Sequence, residues 1–173
     1  MRFHIDQEQK ARFAREQSIA FGNVLTDEER ADLTRVFQEL TANNTKRVDE
    51  ASQSKVLLRQ FGEIASKLSE VRPLRLGLHS LWERDTRFLN EIFSLQGIAC
   101  GVLIPLDLGD PVTFIGPFHP IWEKESLVYL IVYIASNARF KPNPNDPFFL
   151  DWLREGYSAG DRLIDPEHPI VYR

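Results

Sequence analysis

Gly97-Ile98-Ala99-Cys100-Gly101-Val102-Leu103-Ile104-Pro105-Leu106 is a ten-residue, almost wholly apolar run, and its reading decides the fold. Its composition marks a central β-strand, with little side-chain bulk at Gly97 and Gly101. Upstream, Leu74, Leu76 and Leu78 alternate with Arg75 and Gly77, which predicts a half-buried strand arriving at His79. Downstream, Val112, Phe114 and Ile115 lead to a break at Gly116-Pro117. Ser126 to Ser136 is the longest β-branched and aromatic run, and reads as a further strand. The pieces between these strands are short: a helix predicted over Thr86 to Phe93 and a turn over Asp107 to Pro111. Short connections favour antiparallel neighbours, because a parallel pair needs a longer crossover.

Helices precede this sheet. Asp6 followed by Gln9 resembles a capping box and predicts a helix over about Gln7 to Gln17. Ile19, Phe21 and Val24-Leu25 suggest a brief extended piece. Thr26-Asp27-Glu28-Glu29 is a clearer capping box, with its acids where the helix dipole favours them. The helix it opens carries Leu33, Val36, Phe37 and Leu40 on one face and frays at Asn43-Asn44. Residues 42 to 53 are polar and read as a surface connection. A third helix carries Leu57, Phe61, Ile64, Leu68 and Val71, spaced four, three, four and three, until Pro73 ends it. After the sheet, Asn143-Pro144-Asn145-Asp146-Pro147 is a rigid turn in which Asp146 can cap a helix with Pro147 at its first position. That helix would carry Phe148, Phe149, Trp152 and Leu153 and stop at Gly156. Gly160-Asp161 makes another turn, and Ile170-Val171-Tyr172 reads as a last strand. Helices first and a mostly antiparallel sheet after them is an α+β pattern. It predicts one domain over 1–173, mainly helical over 1–72 and mainly strand over 73–173 with one late helix.

The chain has 173 residues, 43% hydrophobic and 27% charged, as in an ordinary globular protein with a substantial core. A net charge of −4 argues against broad electrostatic binding to nucleic acid and gives no reason to expect an anionic membrane surface as partner. No stretch approaches the roughly 20 apolar residues that span a bilayer. The N-terminus lacks the apolar core of a signal peptide. The single Cys100 cannot make an internal disulfide and reads as a buried thiol, which fits a reducing cytoplasm.

Phe3 to Leu40 resembles the opening of the phytanoyl-CoA dioxygenase-like family. The phrase Phe13-Ala14-Arg15-Glu16-Gln17-Ser18 stands where that family has Phe-x-Arg-Glu-x-Gly. His79-Ser80-Leu81-Trp82 is similar to the family's His-x-Asp motif with its trailing aromatic. Gly109-Asp110, Phe114 and His119 are similar to the phrase that supplies its second iron-binding histidine. The resemblance implies a jelly-roll barrel (a double-stranded β-helix) that holds iron(II) and 2-oxoglutarate on a triad of two histidines and one carboxylate. His79 and His119 would be the metal ligands. Leu81 departs from the pattern, because an apolar side chain stands where the carboxylate belongs. The basic residue that pairs the cosubstrate's far carboxylate is also missing, since Tyr129 and its neighbours are uncharged.

Glu83 or Asp85 could replace the missing ligand. Alternatively, a halide could take its place as in iron halogenases, although Leu81 would crowd it. His168, between prolines in Pro166-Glu167-His168-Pro169, competes with His119 for the second-ligand role, its bland reading being a surface turn. His4-Ile5-Asp6 has metal-pair spacing, but Asp6 is better used as a helix cap. No nucleophile elbow or phosphate loop is present, and Cys100 has no neighbouring base. The expectation is a non-catalytic binding or interaction protein on a degenerate dioxygenase-like barrel, with neither iron nor 2-oxoglutarate. An aromatic surface near Pro142 to Phe149 would be its docking site for a protein partner. The alternatives are an iron(II)/2-oxoglutarate oxygenase with an atypical third ligand and an unrelated α+β interaction domain.

Overall fold

The computed structural model describes residues 4–42, 54–83, 85–106, 111–122, 127–164 and 166–173. Helix α1 (Gln7–Glu16) opens on the predicted capping box: Asp6 accepts from the Gln9 amide at 2.8 Å, and the Gln9 side chain accepts from the Asp6 amide at 3.0 Å. It ends at Gln17, which turns left-handed. Strand β1 (Ser18–Phe21) leads to α2 (Asp27–Ala42), capped reciprocally by Thr26 and Glu29. The predicted fraying point Asn43-Asn44 and nearly all of the polar connection 42–53 lie outside the described residues. Helix α3 (Ser54–Ser69) follows, burying Leu58, Phe61, Ile64, Ala65 and Leu68.

The sheet elements are β2 (Leu74–Trp82), β3 (Asp85–Phe88), the single turn α4 (Leu89–Ile92), β4 (Leu95–Pro105), β5 (Val112–Ile115), β6 (Pro120–Trp122) and β7 (Val128–Phe140). The chain closes with α5 (Phe149–Arg154) and β8 (Ile170–Tyr172). Six strands form one antiparallel sheet in the order β1-β5-β4-β7-β2-β8, and β3 pairs with β6 in a second, two-stranded sheet. The apolar run 97–106 lies in β4, between β5 and β7. Among the described residues this makes five helices on a strongly curled antiparallel half-barrel, an α+β jelly-roll-like fold.

Two apolar layers flank the large sheet. On one face Tyr129, Ile131 and Tyr133 of β7 meet Phe13 of α1 and Phe61, Ile64 and Leu68 of α3. On the other face Val128, Leu130, Val132 and Ile134 meet α4, Ile121 of β6, Phe148 and Trp152 of α5. This second layer lies between the two sheets and is the interior of the half-barrel. Burial of each large side chain here contributes about 1.5–3 kcal/mol, and both layers draw on β7.

Four expectations need correction. Leu76 to Ser80 of β2 are buried on both faces rather than one, because the helices cover one side and the second sheet the other. The helix over Thr86 to Phe93 is instead strand β3 followed by one turn, since pairing with β6 extends Asp85–Phe88 and the Glu91 carboxylate caps the Phe88 amide at 3.2 Å. Asp146 does not cap a helix that begins at Pro147. The helix starts two residues later, and Asp146 is instead a buried acceptor for three donors, the Ser94 amide (2.7 Å), the Phe148 amide (2.8 Å) and the Trp152 indole (3.0 Å). His168 is not on a surface turn. It is fully buried, its Nδ1–H donates to the Leu76 carbonyl at 2.9 Å, and its ring stacks on Trp152.

Candidate functional site

Side-chain alternation along β2 decides where the first sequence candidate points. Leu81 packs into the layer between sheet and helices, and His79, two residues away, shares its face. There the buried His79 Nδ1 is hydrogen-bonded to the hydroxyl of Tyr129, which lies one strand over on β7. Burial pushes the Tyr129 hydroxyl far above its ordinary pKa, so it stays protonated. Neither His79 nor Leu81 faces the interior of the half-barrel.

His119 lies in the turn that leaves β5 for β6. The Asn90 amide holds this turn by donating to the Pro117 carbonyl, and the His119 amide donates to Gly116 at 3.2 Å. Its Nδ1–H donates to the Pro120 carbonyl at 2.8 Å, and the residue is half-buried. Strands β7 and β4 separate β2 from β5, so His79 and the end of β5 are about 14 Å apart along the sheet at 4.8 Å per strand. The two imidazoles are not brought together: one lies under the helices, the other on the turn beside the second sheet.

The substitute carboxylates are placed no better. Glu83 is exposed. Asp85 is engaged by Arg87, whose backbone amide, Nε and Nη2 donate to its two oxygens at 2.9, 3.1 and 2.8 Å. Partial burial pushes the Asp85 carboxyl up, but these hydrogen bonds and the charge of Arg87, with one more bond from Trp82, outweigh it and hold it below its usual value. Asp85 faces Trp122 across the small sheet, which puts it three residues, about 10 Å of strand, from His119. Among the described residues no group of three His, Cys, Asp or Glu side chains could hold a metal ion. The described residues therefore do not supply the iron triad that the resemblance implied. Gly109-Asp110 lies outside the described residues.

The interior that would house a barrel's chemistry is filled with apolar side chains. Trp82 meets Phe93 edge to face at 5.2 Å, Phe93 stacks on Phe148 at 6.4 Å, and Leu89, Ile92 and Ile121 close around them. His4 is exposed, and Asp6 is spent on its cap. Cys100 is fully buried on the helix side, where burial drives its thiol far above the ordinary value and leaves no thiolate at neutral pH. In Pro142 to Phe149, Phe148 is buried and Phe149 half-buried, because both pack into the interior layer; the exposed apolar residues of that corner are Leu150 and Leu153.

Sequence reasoning missed a cleft of about 550 Å³ on the outer side of the sheet. One face of α1 (Gln7, Lys10, Ala11, Ala14, Gln17) forms its long wall. The end of α3 with Glu70 and Val71, the bulged start of β4 at Ile98-Ala99, and Pro117-Phe118 complete it. The bulge depends on Gly97, whose φ of +94° is open to glycine and strained for other residues. The α1 spacing 7, 10, 11, 14, 17 was legible in the sequence, but its opposite walls come from residues more than fifty positions away, in α3, β4 and the turn after β5.

No helix among the described residues is long and apolar enough to cross a membrane. No family model and no curated protein sequence matches the chain. Solved structures do. The non-heme alpha-ketoglutarate-dependent carbocyclase SnoK from nogalamycin biosynthesis superposes with a TM-score of 0.75 at 13% identity over 96% of each chain. The epimerase SnoN, solved with Fe3+, alpha-ketoglutarate and nogalamycin RO, superposes with a TM-score of 0.72 at 16% identity over 95% of this chain and 98% of that one. CT296 from Chlamydia trachomatis reaches 0.57 at 13% identity over 78% and 97%. The chain therefore has the jelly-roll-like fold of non-haem iron, 2-oxoglutarate-dependent enzymes.

Proposed function

We infer that this chain is a non-catalytic binding protein on a degenerate dioxygenase-like barrel, of the phytanoyl-CoA dioxygenase kind. The observation that carries the reading is the orientation of β2. His79 and Leu81 face the helices, His79 is held there by Tyr129, and the interior face is packed with Trp82, Phe93 and Phe148. Bringing His79 into the interior would require a one-residue slip of β2 beyond the irregularity at Gly77, which would turn Leu78 and Trp82 out of the interior layer. The shape likeness to SnoK and SnoN favours a second reading, a working iron(II)/2-oxoglutarate oxygenase with an atypical ligand set.

Anaerobic titration with iron(II) and 2-oxoglutarate separates the two. The binding-protein reading expects no stoichiometric iron, no 2-oxoglutarate-dependent oxygen uptake, and no change in either for His79→Ala or His119→Ala. One tightly bound iron per chain, lost in either variant, would overturn it.

A further inference from the structure

We propose that the cleft along α1 is a binding site for an elongated apolar carboxylate, an unbranched alkyl acid of about ten carbons. This deepens the binding-protein reading by naming a site and a ligand class, and it rests on that reading.

The cleft runs from Gln7 to Gln17, about 15 Å at the helical rise of 1.5 Å per residue, which suits a chain rather than a globular ligand. Its volume of about 550 Å³ falls within the roughly 300–1,000 Å³ usual for small-molecule sites. Ala11, Ala14, Leu68, Val71, Ile98 and Ala99 supply apolar walls. At the lip stands Phe118, a phenyl ring 64% exposed, which a ligand would cover.

The charge at the mouth chooses the head group. Lys10 keeps only 27% of its side chain exposed. Its ion pair with Glu70 spans 3.9 Å, and the Glu70 side chain is 74% exposed. A pair so long and so exposed to solvent compensates the ammonium weakly. A ligand carboxylate that approached Lys10 closely would be better matched, and Glu70 could swing into water. The alkyl tail would then lie along Ala11 and Ala14 toward Phe118. Glu70 acts here as the competitor that an incoming anion displaces.

Calorimetric titration with decanoate, and with 1-decanol as the uncharged comparison, tests this below the aggregation limit of each. One decanoate per chain is expected. Lys10→Gln should weaken decanoate about fivefold, the size of a partly exposed ion pair, and leave decanol unchanged. Glu70→Gln, on an exposed side chain, should tighten decanoate by removing the competitor. Ala14→Leu, which fills the groove, should abolish both, and Phe118→Ala should weaken both if the leucine variant does not fold. The site is overturned if decanoate does not bind the native chain, or if it binds and neither Ala14→Leu nor Phe118→Ala changes it. Equal effects of Lys10→Gln on acid and alcohol, or a weakened decanoate in Glu70→Gln, would refute the charge recognition. Iron titration reads metal and oxygen uptake while calorimetry reads ligand heat, so failure of the site and failure of the binding-protein reading are distinguishable.

Discussion

Asp146 is a buried carboxylate that serves three donors from three parts of the chain. Its side chain is buried within a residue 4% exposed, and its two oxygens take three donors: the Ser94 amide and the Trp152 indole on Oδ2, the Phe148 amide on Oδ1. These bonds tie the end of α4, the start of α5 and the loop after β7 into one corner. Asn in place of Asp keeps one oxygen. If it stands at the Oδ2 position, two bonds survive, but the new amide group meets the Phe148 N–H donor against donor. Turned the other way, it opposes two donors. At least one buried amide therefore loses an acceptor that carried charge, worth about 1.5–3 kcal/mol. Asp146→Asn should lower stability by about 2–3 kcal/mol, or about 5–10 °C in melting temperature for a chain of this size. Asp146→Ala strands all three donors and should cost more, about 4 kcal/mol, less than three independent losses because neighbouring bonds are not additive. Urea unfolding followed by tryptophan fluorescence measures both, with Trp152 itself reporting on the corner. An Asn variant within 0.5 kcal/mol of the native chain, or an Ala variant no worse than Asn, would refute the assignment of Asp146 as acceptor for these groups.

Gly77→Ala should destabilise by about 1–3 kcal/mol, because its Cβ would meet Ile134 Cγ2 at 2.9 Å and the Val132 carbonyl at 3.0 Å. Gly22→Ala, with open space around it, should change stability by less than about 0.5 kcal/mol, so the pair makes an internal control in one denaturation series. Cys100 should resist a thiol-specific chromogenic reagent at pH 8 in the native protein and react fully once denatured, since it is buried and its thiol is held protonated. Native reaction at the denatured rate would contradict its placement. Asp85 has a folded pKa below its ordinary value of 3.8, so the stability it contributes is present above that value and is lost as pH falls through the folded one. The stability difference between the native chain and Asp85→Asn should therefore be constant near neutrality and shrink once the pH falls below 3.8, read by denaturation at stepped pH.

Much of the fold was legible because local chemistry and tertiary context agree. The capping boxes at Asp6 and Thr26 bond as their spacing predicts. The third helix ends earlier than Pro73 suggests, at Ser69, because Glu70 turns left-handed and leaves Val71 outside it. The apolar run 97–106 is the interior strand it promised, and Gly156 takes the left-handed position that stops α5. The failures share a cause. Thr86 to Phe93 has helix-compatible composition, yet pairing with the three-residue β6, too short to signal itself, draws half of it into a strand. His168 between two prolines reads as a surface turn, yet Trp152 and Leu76 bury it from sixteen and ninety-two residues away.

The sequence by itself determined the first three helices, the main strands, their antiparallel pairing and the absence of a carboxylate at Leu81. Those features depend on spacing within a few residues, where propensity and capping act. Only the tertiary structure decided which way His79 faces. A strand offers two faces of nearly equal apolarity here, and the choice falls to what covers each one: helices α1 and α3 on one side, the small second sheet and α5 on the other. The same long-range packing opened a cleft beside α1 that no local pattern announces, because its other walls are built from the end of α3, β4 and the turn after β5.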